Sequence, residues 1–459
     1  MDHYGIFTLL PIIVVIGIAL KTKRTLEALL IGTVVTYIII DGWDFFGSWT
    51  NAFFEAATKY DNVFVLIICG LFGSLITLIG ASHGTLGFAN WLERHCKNAK
   101  QTLIMSWVLG ILIFIDDYLN IMTISTCMKR LTDKRKTPRE ALAYVIDSTG
   151  APVCVLLPFS TWAIFFATLF YQQDGVPQLG YGDAMGTYVH IIPFLFYGII
   201  AVILVPLFVL NLIPKLGAMK TAYNRVKTTG KVYAPDCDAL NKEEEKEYEE
   251  EKSGKITGKL IDFIIPIGVL ISVALVTGDL FSSLIASLVT CFILYIPRKK
   301  MSISKFCDLY IHGFTNMVPT LAVILAAFVM QNAMEDIGIA TYIIELLQPI
   351  LNPMIYPAIT FLATACLTFA TGSNWGVPAV CIPILMPLCF SLGANPIFVM
   401  AAIVSGATLG SHACFYSDAT VLTSSCCKIE NMEHALSQFP YALMAAGASF
   451  AGYLITGFI

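Results

Sequence analysis

Apolar runs of about 20 residues follow one another along almost the whole chain, separated by short polar stretches. An α-helix rises about 1.5 Å per residue, so a run of this length crosses the hydrocarbon core of a bilayer, which is about 30 Å thick. The pattern predicts an all-α polytopic membrane protein. The predicted helical segments are 6–20, 25–40, 63–81, 102–131, 141–171, 188–213, 260–277, 280–296, 306–334, 353–392, 397–425 and 437–459.

Four of these segments are interrupted by polar residues or by glycine and proline. The segments 102–131 and 353–392 each contain an apolar arm, a polar tip and a second apolar arm, which is typical of a re-entrant helical hairpin. The segments 141–171 and 397–425 contain a Ser/Thr/Gly break, which predicts a discontinuous helix. Irregular backbone is tolerated at membrane depth only where it lines a cavity or is buried in protein. The four interruptions therefore predict a site.

The composition agrees with a membrane protein. The 459 residues are 57% hydrophobic and only 13% charged, with a mean hydropathy of +0.74, whereas about 25% of the residues of a soluble domain are charged. The 13 cysteines fall mostly inside apolar runs, which indicates small buried side chains. No HExxH, paired metal-ligand motif or nucleophile elbow occurs. We therefore expect no enzyme, no cofactor and no nucleic-acid partner.

Lysine and arginine predict the orientation. If the two hairpins return to the side that they entered, ten segments cross, and 27 of the 28 basic residues fall on one side, leaving only Lys59 opposite. The positive-inside rule makes the basic side cytoplasmic. The long hydrophilic stretch 215–259 is then predicted to be a solvated cytoplasmic linker. These features predict a multi-pass protein of the bacterial inner membrane.

The interrupted segments form a repeat. A shift of 258 positions carries Asp116 onto Asn374 and Asp147 onto Ser405 without a gap, and the order of arm, tip, arm, turn, helix, break and helix is the same in both copies. Five crossings lie between the two tips, so the second copy is inverted relative to the first. Inverted repeats with broken helices are typical of secondary transporters, whose site lies at the midplane.

The repeat predicts a division of the chain into six parts. These are N-terminal scaffold helices with an external amphipathic segment (1–62), the first repeat (63–213), the charged cytoplasmic linker (214–259), scaffold helices (260–300), the second repeat (301–426) and a C-terminal helix (427–459).

The first repeat supplies the candidate cation and proton ligands. Neighbouring carboxylates at its hairpin tip repel each other unless a cation or proton lies between them, and an ionisable residue within the membrane is a functional hypothesis by default. A helix-capping aspartate and a proline kink with satisfied hydroxyls are the alternatives. The candidates are Asp116, Asp117 and Asn120 at the tip and Asp147, Ser148 and Thr149 at the break, with Na⁺ expected at Asp116, Asp117, Asp147 and Thr149.

The second repeat supplies further cation ligands or contacts to an organic substrate. Trp375 stacks on a substrate or packs between hairpin arms, and His412 relays protons near neutral pH or is a hydrogen-bonded packing residue. Asp418 joins the cation and proton ligands. The remaining candidates are Thr371, Ser373, Asn374 and Trp375 at the tip, and Ser405, Gly406, Thr408, Ser411, His412 and Ser417 at the break.

Two motifs closely resemble the NhaC-type Na⁺/H⁺ antiporter family of the ion transporter superfamily. They are "DDYLN…TDKRKTPREALAYVIDSTGAPVCVLLPFSTW" and "SGATLGSHACFYSDATVLTSS", the latter followed by "QFPYAL". The resemblance implies two inverted repeats, homodimers and elevator-type movement of a transport domain against a scaffold. It also implies that the tip and break residues bind the cation.

The chain departs from the family pattern at one candidate residue. The family's second break usually reads Gly-Asp-His, whereas this chain has Ser411 between Gly410 and His412. The first hypothesis is a Na⁺/H⁺ antiporter with Na⁺ as the coupling ion. The second is a Na⁺- or H⁺-coupled transporter of an amino acid or small carboxylate, which the missing carboxylate favours.

Overall fold

The computed structural model describes residues 3–22, 24–94, 96–158, 160–242, 258–347 and 352–457. Within these ranges every regular element is helical. The helices of the N-terminal part are α1 (Leu10–Thr22), α2 (Thr25–Asp41), α3 (Phe45–Thr58), α4 (Tyr60–Ala81), α5 (Gly84–Glu93), α6 (Ala99–Leu112), α7 (Asp117–Lys134), α8 (Arg139–Asp147), α9 (Ala151–Leu156), α10 (Thr161–Tyr171), α11 (Ala184–Ile191), α12 (Phe196–Val209) and α13 (Gly217–Thr229).

The helices of the C-terminal part begin after residue 258. They are α14 (Ile261–Thr277), α15 (Leu280–Tyr295), α16 (Ile303–Asn316), α17 (Val318–Asp336), α18 (Ile339–Leu347), α19 (Tyr356–Thr371), α20 (Gly376–Leu392), α21 (Pro396–Ala413), α22 (Asp418–Cys427) and α23 (Asn431–Thr456).

Several helices are long and apolar enough to cross a bilayer. Among the described residues there are five, at Thr25–Thr58, Asn62–Ala81, Val318–Asp336, Pro396–Ala413 and Asn431–Thr456, and two bent helix pairs raise the number to seven. The sequence predicted ten crossings. Fewer helices than the predicted ten qualify by length, because several apolar helices, such as α14 and α15, are shorter than 18 residues. The protein is nevertheless a multi-pass membrane protein.

Both predicted hairpins contain two helices that contact each other across a short tip. The first consists of α6 and α7 with a tip at 113–116, and the second of α19 and α20 with a tip at 372–375. Gly372 ends α19 with a φ of +70°, a left-handed conformation that side chains with a Cβ rarely adopt. This glycine lets the chain reverse at the second tip.

The buried apolar side chains form two clusters, and both broken helices pass from one to the other. In the first broken helix, α8 contributes residues 141–146 to the first cluster, while α9 and α10 pack in the second. In the second broken helix, α21 packs in the second cluster and α22 in the first. The interruptions at 148–150 and 414–417 therefore lie where the two clusters meet, whereas residues 405–412, which were expected to form the second break, are helical within α21.

The second hairpin packs closely against the second broken helix through two glycines. A Cβ on Gly406 would lie 2.6 Å from the carbonyl oxygen of Phe361, and a Cβ on Gly410 would lie 2.8 Å from that of Ala365. Small residues four positions apart allow helix backbones to approach in membranes. Gly406 is therefore explained by helix packing, although the sequence assigned it to the site.

The predicted linker is folded over the part that the structure describes. Helix α13 packs against α8 and α23, and its Met219 and Ala222 are buried. Cys237 is also buried, and this burial raises the pKa of its thiol to about 12. Residues 217–242 thus bury some of their side chains and expose others, and the solvated cytoplasmic linker stays a prediction. Most of the acidic run, at 243–257, lies outside the described residues.

One ion pair attaches this folded segment to the start of α8, and a second joins the start of α8 to the end of α7. Arg225 donates to both oxygens of Glu140 at 2.8 and 2.9 Å, and Arg139 pairs with Asp133 at 2.7 Å. Glu140 and Arg139 are almost completely buried. The segment therefore holds the helix that leads to Asp147.

We predict that Glu140→Gln or Arg225→Gln destabilises the protein by about 3 kcal/mol, because removing one partner of a buried ion pair leaves the other charge unpaired. The measurement is thermal unfolding in detergent. Asp238→Asn is the control, because it removes an exposed pair with Lys231 at 3.4 Å that contributes roughly 0–1 kcal/mol. Equal unfolding temperatures for all three variants would contradict the prediction.

Candidate functional site

Asp116 caps the second arm of the first hairpin. Its Oδ1 accepts a hydrogen bond from the amide of Leu119 at 3.2 Å, as an N-cap residue does, and its Oδ2 accepts one from the hydroxyl of Thr161 at 3.1 Å. Asp116 is buried. Both carboxylate oxygens therefore have protein partners, and the side chain joins the hairpin tip to α10.

Asp117 is the first residue of α7, and it differs from its neighbour. It is 1% exposed, and its Oδ1 has no hydrogen-bond partner among the described residues. It lies beside the first break, because a Cβ on Gly150 would be 3.7 Å from the Cβ of Asp117. A buried carboxylate oxygen without a donor is costly unless a cation or proton binds it. Asp117 is therefore the stronger cation candidate of the pair.

The first hairpin meets the second broken helix at Asp418. Tyr118 Oη donates to Asp418 Oδ2, and Asn374 Nδ2 at the second tip donates to Asp418 Oδ1 at 3.0 Å. The carboxylates of Asp418 and Asp117 are close enough to interact electrostatically. Residues from both repeats therefore surround one buried acidic cluster.

Asn120 joins the first tip to the first break by hydrogen bonds. Its Nδ2 lies within hydrogen-bonding distance of three carbonyl oxygens, those of Gly110 at 2.7 Å, Ile113 at 2.9 Å and Thr149 at 3.0 Å. Its Oδ1 has no partner among the described residues, and the same is true of Asn374 Oδ1. Together with Asp117 Oδ1, these are hard oxygen donors of the kind that suits Na⁺.

Asp147 belongs to a second polar cluster. Gln438 Nε2 donates to Asp147 Oδ2 at 2.6 Å, and His434 Nε2 lies 3.1 Å from the same oxygen. All three side chains are buried. His434 and Gln438 are one turn apart on α23, so both project from the same face of that helix toward Asp147.

His412 joins this second cluster from α21. Its Nδ1 lies 2.6 Å from Tyr197 Oη, and its Nε2 lies 3.1 Å from Ser148 Oγ. Gln438 also donates to the carbonyl oxygen of His412. The break of the first helix is thus tied to the second broken helix and to the C-terminal helix.

The structure divides the residues that were expected to bind Na⁺ together. Asp116 and Asp117 lie at the first tip, whereas Asp147 pairs with His434 and Gln438. Thr149 Oγ1 donates to Val145 O at 2.9 Å, back onto the last turn of α8. Among the described residues, no three His, Cys, Asp or Glu side chains converge as metal ligands. A Na⁺ site at Asp117 must therefore draw on amide or carbonyl oxygens.

Most second-repeat candidates have structural partners. Thr408 and Thr371 bond to carbonyls of their own helices, and Ser405 Oγ accepts from Tyr453 Oη at 2.7 Å. Ser417 caps α22, and Ser373 Oγ accepts from Gly376 N at 2.9 Å. Ser411 Oγ is buried and has no hydrogen-bond partner in the described part of the chain.

Trp375 packs against aromatic side chains of α10. Its ring centroid lies 4.7 Å from that of Phe165 and 5.4 Å from that of Trp162. Of the two roles predicted for Trp375, the contacts agree with packing, although the partners lie on α10 and not on the hairpin arms. The contact joins the second tip to the first broken helix.

Sequence reasoning missed four residues that contact the site. Tyr118 and Tyr197 are tyrosines in apolar surroundings, and His434 and Gln438 lie in the predicted C-terminal helix, to which no site residue was assigned. Only the spacing of His434 and Gln438, one turn apart in an apolar helix, signalled a polar face. Their partner could not be read from local sequence.

Comparison with known proteins gives three similarities. A family model described as "Na+/H+ antiporter family" matches residues 153–458. An uncharacterized protein of Haemophilus influenzae is 24% identical over 490 aligned positions, which cover 99% of this chain and 91% of that protein. A malate-2H(+)/Na(+)-lactate antiporter of Bacillus subtilis is 24% identical over 149 positions, or 32% of each chain.

We predict that His434→Leu destabilises the protein by roughly 1.5–3 kcal/mol, because the buried carboxylate of Asp147 loses a hydrogen-bond partner. His434→Gln keeps an amide donor and should retain most of the stability. The readout is the thermal unfolding temperature in detergent. His190→Leu is the matched control at an exposed histidine. An unchanged midpoint in His434→Leu would show that this contact does not stabilise the fold.

Proposed function

Because the chain belongs to the Na⁺/H⁺ antiporter family, we propose that it is a sodium-coupled secondary active transporter that exchanges Na⁺ for H⁺ by alternating access. Family membership makes it a membrane transporter and supports Na⁺ and H⁺ as its transported ions. The proposal adds the ion specificity of this chain, its mechanism and the residues that carry it.

The observation that carries the proposal is the unpaired oxygen of Asp117. Asp117 Oδ1 is buried beside the first break and near the carboxylate of Asp418. Two buried carboxylates in one cluster repel each other, so a bound Na⁺ or proton stabilises the pair. Competition of the two ions for this cluster couples release of one to uptake of the other.

The tips and breaks supply the remaining ligands in this proposal. Asn120 Oδ1 and Asn374 Oδ1 are buried acceptors without partners in the described chain, and helix ends at broken helices supply carbonyl oxygens to Na⁺ in transporters of this type. Asp147, with His434 and Gln438, forms a second acidic position. We assign it to proton or cation binding with His412 as its neighbour.

The wider mechanism rests on the repeat. Two inverted repeats with paired hairpins favour an elevator-type movement, in which the acidic cluster crosses the membrane against scaffold helices. We further propose a homodimer in a bacterial inner membrane, with the stretch 215–259 on the cytoplasmic side. The basic residues of the loops support that orientation.

A second candidate function is a Na⁺- or H⁺-coupled transporter of an amino acid or small carboxylate. It is favoured by a pocket beside the second hairpin tip, lined in part by Gln331, Glu335 and Ser373. The Bacillus subtilis relative, named for antiport of malate and lactate, gives separate support. In this second function, the acidic cluster binds the ion whose gradient drives transport of the solute.

We predict that Asp117→Asn abolishes Na⁺-dependent transport in proteoliposomes without unfolding the protein. The neutral amide neither balances the charge of a bound Na⁺ nor takes up a proton. Asp147→Asn should do the same. Asp183→Asn is the control, since Asp183 caps α11 at an exposed position and asparagine caps equally well. Full coupled transport by both Asp117→Asn and Asp147→Asn would remove the proposed site.

We also predict that an outward Na⁺ gradient acidifies the lumen of Na⁺-loaded proteoliposomes, because H⁺ enters as Na⁺ leaves. A trapped pH dye reports the change with no organic solute present. Vesicles loaded with K⁺ are the control. If acidification requires an added amino acid or carboxylate, the second candidate function replaces the first.

A further inference from the structure

A pocket lies between α17 and the tip of the second hairpin, outside the acidic cluster. Its volume is about 110 Å³, which is below the roughly 300–1,000 Å³ of pockets for drug-sized ligands, so the pocket has room only for a small solute. Its walls are mainly apolar. The lining residues are Gln331, Glu335, Gly338, Ile339, Thr341, Leu367, Thr371, Ser373, Gly376, Val377 and Val380.

Three polar side chains converge on one point of this pocket. A Cβ on Gly376 would overlap Gln331 Nε2 and would lie 2.8 Å from Ser373 Oγ and 3.0 Å from Glu335 Oε1. The glycine therefore leaves room for an amide, a hydroxyl and a carboxylate to approach the same position. A few convergent polar groups within apolar walls are typical of a site that orients a small organic ligand.

The charges of the pocket select the ligand. Glu335 is the charged side chain among the described lining residues, and none of these is lysine, arginine or histidine. A solute with a net negative charge is therefore disfavoured. Lys59 Nζ lies just beyond, 3.8 Å from Glu335 Oε2 and 2.7 Å from Asn332 Oδ1. One anionic and one cationic group thus lie side by side.

We propose that this pocket binds a small zwitterion with an apolar body, such as an apolar α-amino acid, with its ammonium group at Glu335 and its carboxylate at Lys59. The apolar body packs against Ile339, Val377 and Val380. The inference rests on the second candidate function under the proposed transport by this chain, because it names the solute whose movement the ion cluster would drive.

The pocket's position relates it to the ion cluster. The second tip that lines the pocket through Ser373 also carries Asn374, whose amide donates to Asp418. A solute that contacts Ser373 and Gly376 therefore fixes the tip on one side, while the ions act on Asp418 from the other. Because Ser373 and Asn374 are adjacent in the chain, this arrangement couples solute binding to ion binding.

The test uses two matched sets of three solutes with the purified full-length protein. L-valine is compared with 2-hydroxyisovalerate, which replaces the ammonium group, and with isobutylamine, which lacks the carboxylate. L-alanine, lactate and ethylamine form the smaller set. We expect the amino acid of at least one set to raise the unfolding temperature in Na⁺. Its two analogues should need at least about tenfold higher concentrations to give the same rise. A hydroxy acid as effective as its amino acid would overturn the proposal.

Glu335→Gln should weaken binding of the amino acid by about tenfold or more, because the ammonium group loses its charged partner. Glu345→Gln is the matched control, since this exposed glutamate on α18 pairs with His3 outside the pocket. Lys59→Gln should reduce the binding affinity for the amino acid to that for the matching amine. Unchanged binding in Glu335→Gln would exclude the pocket.

The same vesicles separate this inference from the proposed function. Na⁺/H⁺ exchange that persists in the wild type while no amino acid binds overturns the solute pocket and leaves the transport function intact. Absence of Na⁺-dependent transport in the wild type, with every solute tested, overturns the proposed function itself.

Discussion

The structure depends on how it satisfies carboxylates that are buried in an apolar environment. A buried charge costs several kcal/mol unless hydrogen bonds, an opposite charge or a bound ion compensates it. Asp116 accepts a hydrogen bond from Thr161, Asp147 accepts one from Gln438, and Asp418 accepts from Tyr118 and Asn374. Asp117 Oδ1 is buried and has no partner in the described part of the chain. An ion at Asp117 would give this oxygen the partner that the described residues do not supply.

The adjacent pair at 116 and 117 shows what local sequence can and cannot decide. The position of the pair inside an apolar run predicted a buried tip, because such a run has no other place for charge. The roles within the pair depend on which residue begins α7. Asp116 is the cap, and Asp117 projects from the first turn toward Gly150. A shift of one residue in the helix start would exchange the two roles.

The tips and the first break were predictable because they are local interruptions of an apolar pattern, whereas the second interruption lies at 414–417, after the predicted residues 405–412. The contacts between the tips and breaks were not predictable, since Tyr118 and Asp418 are 300 positions apart and His434 and Asp147 are 287 apart. Such pairs depend on packing of distant helices. The packing within the linker was not predictable for a different reason. Its charges suggested solvation, yet Arg225 is neutralised by Glu140, and Met219 and Cys237 are buried.

The two apolar clusters constrain how the site can move. Both broken helices cross from one cluster to the other, so the clusters cannot slide apart without unfolding the breaks that hold the ion ligands. The Asn374–Asp418 and His412–Ser148 contacts join the same parts. Under the proposed mechanism, the site elements move together. Helix α17 packs against α2, α3 and α4 and also contacts α22 of the second broken helix, and it meets the second tip across a pocket. Under the proposed mechanism, that pocket marks the boundary along which the site-bearing body moves against the remaining helices.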